Sequence, residues 1–228
     1  WSTVGFGLFY APLSMASIYG ESWFVAATWQ ITILAGLLLT PLFGQKIPRK
    51  QLGMTLLILL GIVLIQIPYF GRGLGEGVVR ASILILIAAF SYPLGNRKML
   101  AHCKGEQLST TQRVFGMTLM SVPFWLLLSV FAGVDAGLPS GGQMLQSLIV
   151  AVFSGVIATM LFFEATNLVK HNHQQLAVVE ATQAGEVLFT LFGGCLFLGD
   201  QIPTPLGFLG VFIVIIGIVG NSLLTSSE

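Results

Sequence analysis

Charge is what this sequence has least of. Only 8% of its 228 residues are Asp, Glu, Lys or Arg, while 55% are hydrophobic, and the mean hydropathy is +0.89. Soluble domains carry about 25% charged residues. A soluble fold this poor in charge could not solvate its own surface, so composition predicts a polytopic membrane protein. The net charge is +1 and no basic patch is interleaved with aromatics, which argues against a nucleic-acid partner. Cysteine is scarce as well. Cys103 falls in a polar loop and Cys195 in an apolar run, so no disulfide framework is expected. A charged start, short apolar stretch and cleavage site of a signal peptide are all missing. His171 and His173 flank a short loop and are too few to argue for a metal site. The run Gly71-Arg72-Gly73-Leu74-Gly75-Glu76-Gly77 lacks the Gly-Lys-Ser/Thr ending and strand context of a phosphate loop. No cofactor is therefore expected, and ATP-driven chemistry is disfavoured.

What the chain has is long apolar runs. Cutting at polar and Gly/Pro clusters predicts eight spans: Ser2–Tyr19, Trp23–Phe43, Leu52–Phe70, Val78–Lys98, Thr111–Ala132, Met144–Val169, Gln175–Leu198 and Leu206–Leu224. Runs such as Met54–Ile65 do not alternate apolar with polar, which excludes barrel strands. With loops numbered in order, one side collects eight basic residues (Lys46, Arg49, Lys50, Arg97, Lys98, Lys104, Arg113, Lys170) and the other only Arg72 and Arg80. The positive-inside rule makes the first side cytoplasmic, with the C-terminus on it, in a multi-pass cytoplasmic-membrane protein.

The segment from Thr28 to Val63 resembles that from Ala181 to Val219. Thr28-Trp29-Gln30 aligns with Ala181-Thr182-Gln183, Gln45-Lys46-Ile47-Pro48 with Asp200-Gln201-Ile202-Pro203, and Leu60-Gly61-Ile62-Val63 with Ile216-Gly217-Ile218-Val219. The copies are five spans apart, an odd number, so they cross the membrane in opposite senses. Inverted repeats of this kind typify secondary transporters, with substrate held near the midplane between the repeats. The expected organisation is residues 1–70 as the last three helices of a first repeat and 71–228 as a complete second one. Two more helices are expected before Trp1, making ten in inverted five-plus-five repeats.

Three acids, Glu164, Glu180 and Glu186, fall within spans, whereas every Lys and Arg sits at a span end or in a loop. A charge in hydrocarbon costs at least ~2.5 kcal/mol on insertion scales, so buried carboxylates without fixed partners imply a proton or a mobile cation. Glu180, Gln183 and Glu186 are spaced i, i+3, i+6, which on a helix makes one polar stripe about 120° wide. The functional reading is a cavity wall that binds protons or a cation. The structural alternative is a pair of neutral acids hydrogen-bonded between helices. Glu164 has two readings: it lies at the depth of Glu180, or it pairs with Lys170 at the interface. Gln30, the repeat-mate of Gln183, and the adjacent Trp29 are candidates for the opposite wall, or else a packed Trp and a bonded Gln. Tyr92, Pro93 and Asn96 form a polar kink, because Pro93 strips the carbonyl of Ala89 of its usual donor. Gly207, Gly210, Gly217 and Gly220 read as close packing of the last helix.

The run Ala88-Ala89-Phe90-Ser91-Tyr92-Pro93-Leu94-Gly95-Asn96-Arg97-Lys98, with Ser154-Gly155-Val156-Ile157-Ala158-Thr159 and Val179-Glu180-Ala181-Thr182-Gln183-Ala184-Gly185-Glu186, resembles the multidrug resistance efflux transporter family of the drug/metabolite transporter superfamily, whose repeats are EamA-like. The resemblance covers essentially the whole chain. It implies an inner-membrane exporter of small molecules with both termini cytoplasmic, working as a secondary transporter and not an enzyme. The expected activity is export of drugs or metabolites, cationic ones included, by proton antiport. The alternatives are a proton-independent exporter of amino acids or nucleobases and, from another class, an integral membrane enzyme. The short loops offer that enzyme neither a metal-ligand cluster nor a Ser/His/Asp grouping. The expected partners are a small-molecule substrate, protons and the lipid bilayer.

Overall fold

The structure, a computed structural model, describes residues 1–44, 49–70, 75–103, 109–158, 160–161, 164–165, 168 and 184–225. These fold into eight helices, and no strand occurs among the described residues. They are α1 (Thr3–Gly7 continuing through Leu8–Ala16), α2 (Ser22–Phe43), α3 (Arg49–Phe70), α4 (Gly75–His102), α5 (Thr110–Ala136), α6 (Gly141–Ala158), α7 (Ala184–Gly193 continuing through Gly194–Leu198) and α8 (Pro205–Thr225). Five of them (α2, α4, α5, α6 and α8) are long and apolar enough to cross a membrane. The apolar parts of α1, α3 and α7 are shorter, 10–17 residues.

Helix ends follow local chemistry that hydropathy alone does not see. α5 and α6 both begin on a reciprocal capping box. Ser109 Oγ accepts from Gln112 N–H (3.2 Å) while Gln112 Oε1 accepts from Ser109 N–H (2.8 Å). Ser140 and Gln143 repeat the arrangement at 3.3 and 2.7 Å. Each box satisfies two of the orphan donors at a helix start, and the helices begin at Thr110 and Gly141 rather than at the expected Thr111 and Met144. α2 and α7 both end on a left-handed glycine, Gly44 (φ 75°) and Gly199 (φ 74°). Such a φ favours glycine, which has no Cβ to clash.

α2 is interrupted at Gln30. The Gln30 side-chain amide donates to the carbonyl of Ala26 (3.2 Å), the acceptor its own backbone N–H would normally use. That N–H turns instead to Ala27 O (3.3 Å). A side chain inserted into the hydrogen-bond ladder is a recognised cause of a helix break.

α3 and α8 pack antiparallel along their length. Met54 meets Gly220, Ile58 meets Gly217, and Gly61 meets Gly210. A Cβ at Gly61 would lie 2.7 Å from the Gly210 carbonyl oxygen, and one at Gly210 would lie 2.6 Å from that of Gly61. Backbones this close need small residues, the usual device where no hydrophobic force drives helices together in lipid. Around the seam lies the core: Trp23, Phe24 and Ala27 of α2, Ile58 and Ile65 of α3, Ile85 of α4, Val187 of α7 and Val214 of α8. α2 packs on α7 beside it. α5 and α6 contribute nothing to this core among the described residues, and α6 has no buried residue there.

Candidate functional site

The site is built where α1 crosses α4. A Cβ at Gly95 would collide with the backbone of Gly5, so the two glycines let the helices touch. The helices run antiparallel, and one turn along from the crossing Phe9 meets Tyr92. Phe9 is the hub of an aromatic cluster. Its ring centroid is 4.8 Å from Tyr92, 4.9 Å from Trp29 and 4.2 Å from Tyr10. Trp29 and Tyr92 meet edge-on at 5.8 Å. The offset and tilted geometries are those that ring quadrupoles favour, each pair adding about 0.5–1.5 kcal/mol beyond burial.

Pro93 lies inside α4, which continues through it from Gly75 to His102. Pro93 cannot donate to Ala89 O, and Thr32 Oγ1 of α2 donates to it instead at 3.1 Å. The freed carbonyl is thus satisfied from a neighbouring helix and ties α2 to α4 beside the cluster.

Beyond the cluster a cavity of about 1010 Å³ opens between α1, α4, α5 and α6. Tyr10, Tyr92 and Trp125 supply aromatic surface. Asn96, Thr118, Ser121 and Ser154 supply polar groups, and Arg97 and Arg113 supply charge. This combination of apolar wall and few convergent polar groups, at a size that holds a small molecule, is the usual form of a ligand site.

Tyr92 and Asn96 line the cavity, and Trp29 stands behind Tyr92 in the cluster. Gln30 is 3% exposed with its amide turned onto its own helix. Glu186 is exposed on α7 and is not among the residues that line the cavity. Glu180 and Gln183 lie outside the described residues, so the stripe is described at Glu186 alone. Glu164 is exposed. Sequence reasoning passed over Phe9, Tyr10, Trp125, Arg97 and Arg113. The signal for Phe9 and Tyr10 was the pair of small residues, Gly5 and Gly7, one turn before them. Arg97 was counted only as a topogenic charge.

At the opposite end of the bundle the end of α7 is tied to the start of α2. The Asp200 carboxylate accepts from Ser22 N–H at 2.8 Å, capping the helix with a charge where its dipole is positive. Trp23 Nε1–H donates to Gln201 O at 3.0 Å. A second cavity of about 700 Å³ lies here, lined by Glu21, Glu76 and Asp200. Glu76 pairs with Arg80 at 3.3 Å on the exposed surface.

Comparison with known proteins extends these observations. Residues 1–227 match the family model EmrE, described as "Putative multidrug resistance efflux transporter". The chain is 49% identical over 232 residues to "Uncharacterized protein YjlA" of Bacillus subtilis (strain 168), an alignment covering 96% of this chain and 71% of that protein. It is 42% identical over 196 residues to "Uncharacterized 42.1 kDa protein in intracellular alkaline protease 3'region" of Shouchella clausii, covering 82% of this chain and 51% of that one. No solved structure matches the chain.

Proposed function

Because the chain belongs to the EmrE multidrug resistance efflux transporter family, a family of multi-pass membrane proteins with small-molecule substrates, we propose that it forms the greater part of a secondary exporter. Its substrates are small planar molecules held in the Tyr92 cavity. The observation that carries this reading is the joining of two elements: an aromatic wall fixed by the Gly5–Gly95 crossing, and a cavity of about 1010 Å³ opening directly from it.

The inverted five-plus-five repeat is part of the proposal. It is supported by the matched left-handed glycines Gly44 and Gly199, each followed by the aligned Ile-Pro step. It is supported too by the antiparallel seam between the repeat-mates α3 and α8 and by the packing of α2 on α7. Rocking of one repeat against the other about that seam would expose the cavity to either side in turn. The proposed orientation puts the Arg97 end in the cytoplasm, by the positive-inside rule.

Proton antiport is carried, in this proposal, by Glu180 and Glu186, with Gln183 between them in the sequence and Gln30 as the repeat-mate of Gln183. The test is Glu180→Gln and Glu186→Gln in the full-length protein, reconstituted in vesicles with an imposed pH gradient. Gradient-driven flux should fall in at least one variant, and unchanged flux in both removes the carboxylates from the mechanism. One observation favours a second reading, proton-independent export of a metabolite: Glu186 does not line the cavity. Saturable export of a neutral metabolite, indifferent to the pH gradient, would select that reading.

A further inference from the structure

We infer that the cavity takes a planar substrate bearing an anionic group, a carboxylate, sulfonate or phosphate, which lies against Arg97 and Arg113. The inference rests on the reading of this cavity as the substrate site and adds the charge of its occupant. Both arginines line the cavity, from different helices, and no carboxylate lines it among the described residues.

Arg97 is placed as a binding group and not as a topogenic charge turned to the surface. It is half-buried, and its guanidinium lies 5.8 Å from the centroid of the Phe43 ring. One nitrogen donates to Thr40 Oγ1 at 3.3 Å. The Thr40 hydroxyl in turn donates to Gly36 O at 3.0 Å, which fixes the direction of its lone pairs. A guanidinium has five N–H donors in a rigid fork. This one uses a single donor among the described residues, and the only carboxylate ion pair there is the distant Arg80–Glu76.

Arg113 has no side-chain partner among the described residues, and its backbone N–H is already satisfied by Ser109 O at 3.0 Å. Two arginines that line one cavity bring two positive charges to it, and most of their N–H donors have no partner among the described residues. An anion relieves both, and the planar fork matches a carboxylate, sulfonate or phosphate bidentately. A cationic substrate would add a third positive charge to the same space. Asn96, one residue before Arg97, adds an amide at the same edge, and Tyr92, one turn back along α4, supplies the face on which a ring stacks.

The test uses two permanently charged probes that share one ring system: naphthalene-2-sulfonate and (2-naphthyl)trimethylammonium. Binding of each to the full-length protein in lipid nanodiscs is measured by calorimetry. The sulfonate should bind more tightly than the ammonium. Arg97→Gln should weaken the sulfonate by about tenfold or more while leaving the ammonium unchanged or tighter, and Arg97→Lys should recover part of the loss. Arg113→Gln, on a separate helix, should also weaken the sulfonate, and it serves as the test if Arg97→Gln does not fold. An ammonium that binds as tightly as the sulfonate overturns the proposal, as does a sulfonate affinity unmoved by the arginine variants. Tyr92→Ala separates this outcome from failure of the cavity reading. Ammonium binding that Tyr92→Ala weakens about tenfold or more keeps the cavity and overturns only the anion. Binding of either probe that ignores Tyr92→Ala, or no binding of either, overturns both.

Discussion

The two sides of this molecule are held together by opposite means. Along α3 and α8 the chain uses its smallest residues. Gly61 and Gly210 approach until the backbone of one helix occupies the space a Cβ on the other would need. Along α1 and α4 it uses large ones as well: beside the Gly5–Gly95 crossing, Phe9 and Tyr10 of α1 and Tyr92 of α4 meet Trp29 of α2, and the cavity opens next to them. Close backbones maximise dispersion contacts and leave no room for a ligand. Splayed aromatics keep surface available and give it a planar shape. The proposed exporter needs both, a closely packed seam and a wall that can receive a molecule, and here they sit on different helices of one bundle.

The sharpest way to break the comparison is to enlarge the seam. Gly61→Leu forces a side chain into the Gly210 carbonyl and should cost about 3 kcal/mol or more, read as a lowered unfolding temperature or loss of monodisperse protein in detergent. Tolerance of that change would mean the seam is not tight. Phe9→Ala comes next. Phe9 is buried at the centre of the cluster, and its loss should cost about 3 kcal/mol and also weaken ligand binding. Tyr92→Ala should separate the two properties. At 39% exposed, Tyr92 contributes less to stability, but binding of a planar probe should weaken about tenfold, within the 1–3 kcal/mol measured for ring stacking in other systems. Thr32→Val removes the donor to Ala89 O while keeping a β-branched shape, and should cost about 1 kcal/mol in thermal unfolding. Smallest of all, Glu186→Gln on an exposed face should change stability by no more than about 0.5 kcal/mol. Any larger shift would mean that the carboxylate has a structural partner.

Much of the framework could be read from residue order, because lipid imposes it. Every spanning segment must satisfy its own backbone hydrogen bonds and bury apolar side chains over a set length. The expected span from Leu206 to Leu224 accordingly matches the helix Pro205–Thr225 to one residue at each end. The glycines of the last helix could be read as packing surface for a similar reason, and Gly210, Gly217 and Gly220 do meet α3. Helix starts were less legible. The Ser-x-x-Gln boxes at Ser109 and Ser140 are polar signals that hydropathy averages away.

The site was legible only in part. Tyr92 and Asn96 stood out because they flank a proline, whose missing N–H one chain segment reveals by itself; the helix nonetheless continues through Pro93. Phe9 did not, since a phenylalanine in an apolar span looks like any other until a second helix crosses it. Arg97 was visible as a charge at a span end, and that position does not reveal which way its side chain turns. Sequence by itself determined the class of protein, the family and the approximate bounds of most helices among the described residues, because each depends on composition, length and local order; the expected bounds Val169 and Gln175 lie outside the described residues. Only the tertiary structure decided which residues share the cavity. That depends on where Gly5 meets Gly95 and which way Thr40 and Phe43 turn the Arg97 guanidinium, contacts between residues about 90 and 57 positions apart in the chain.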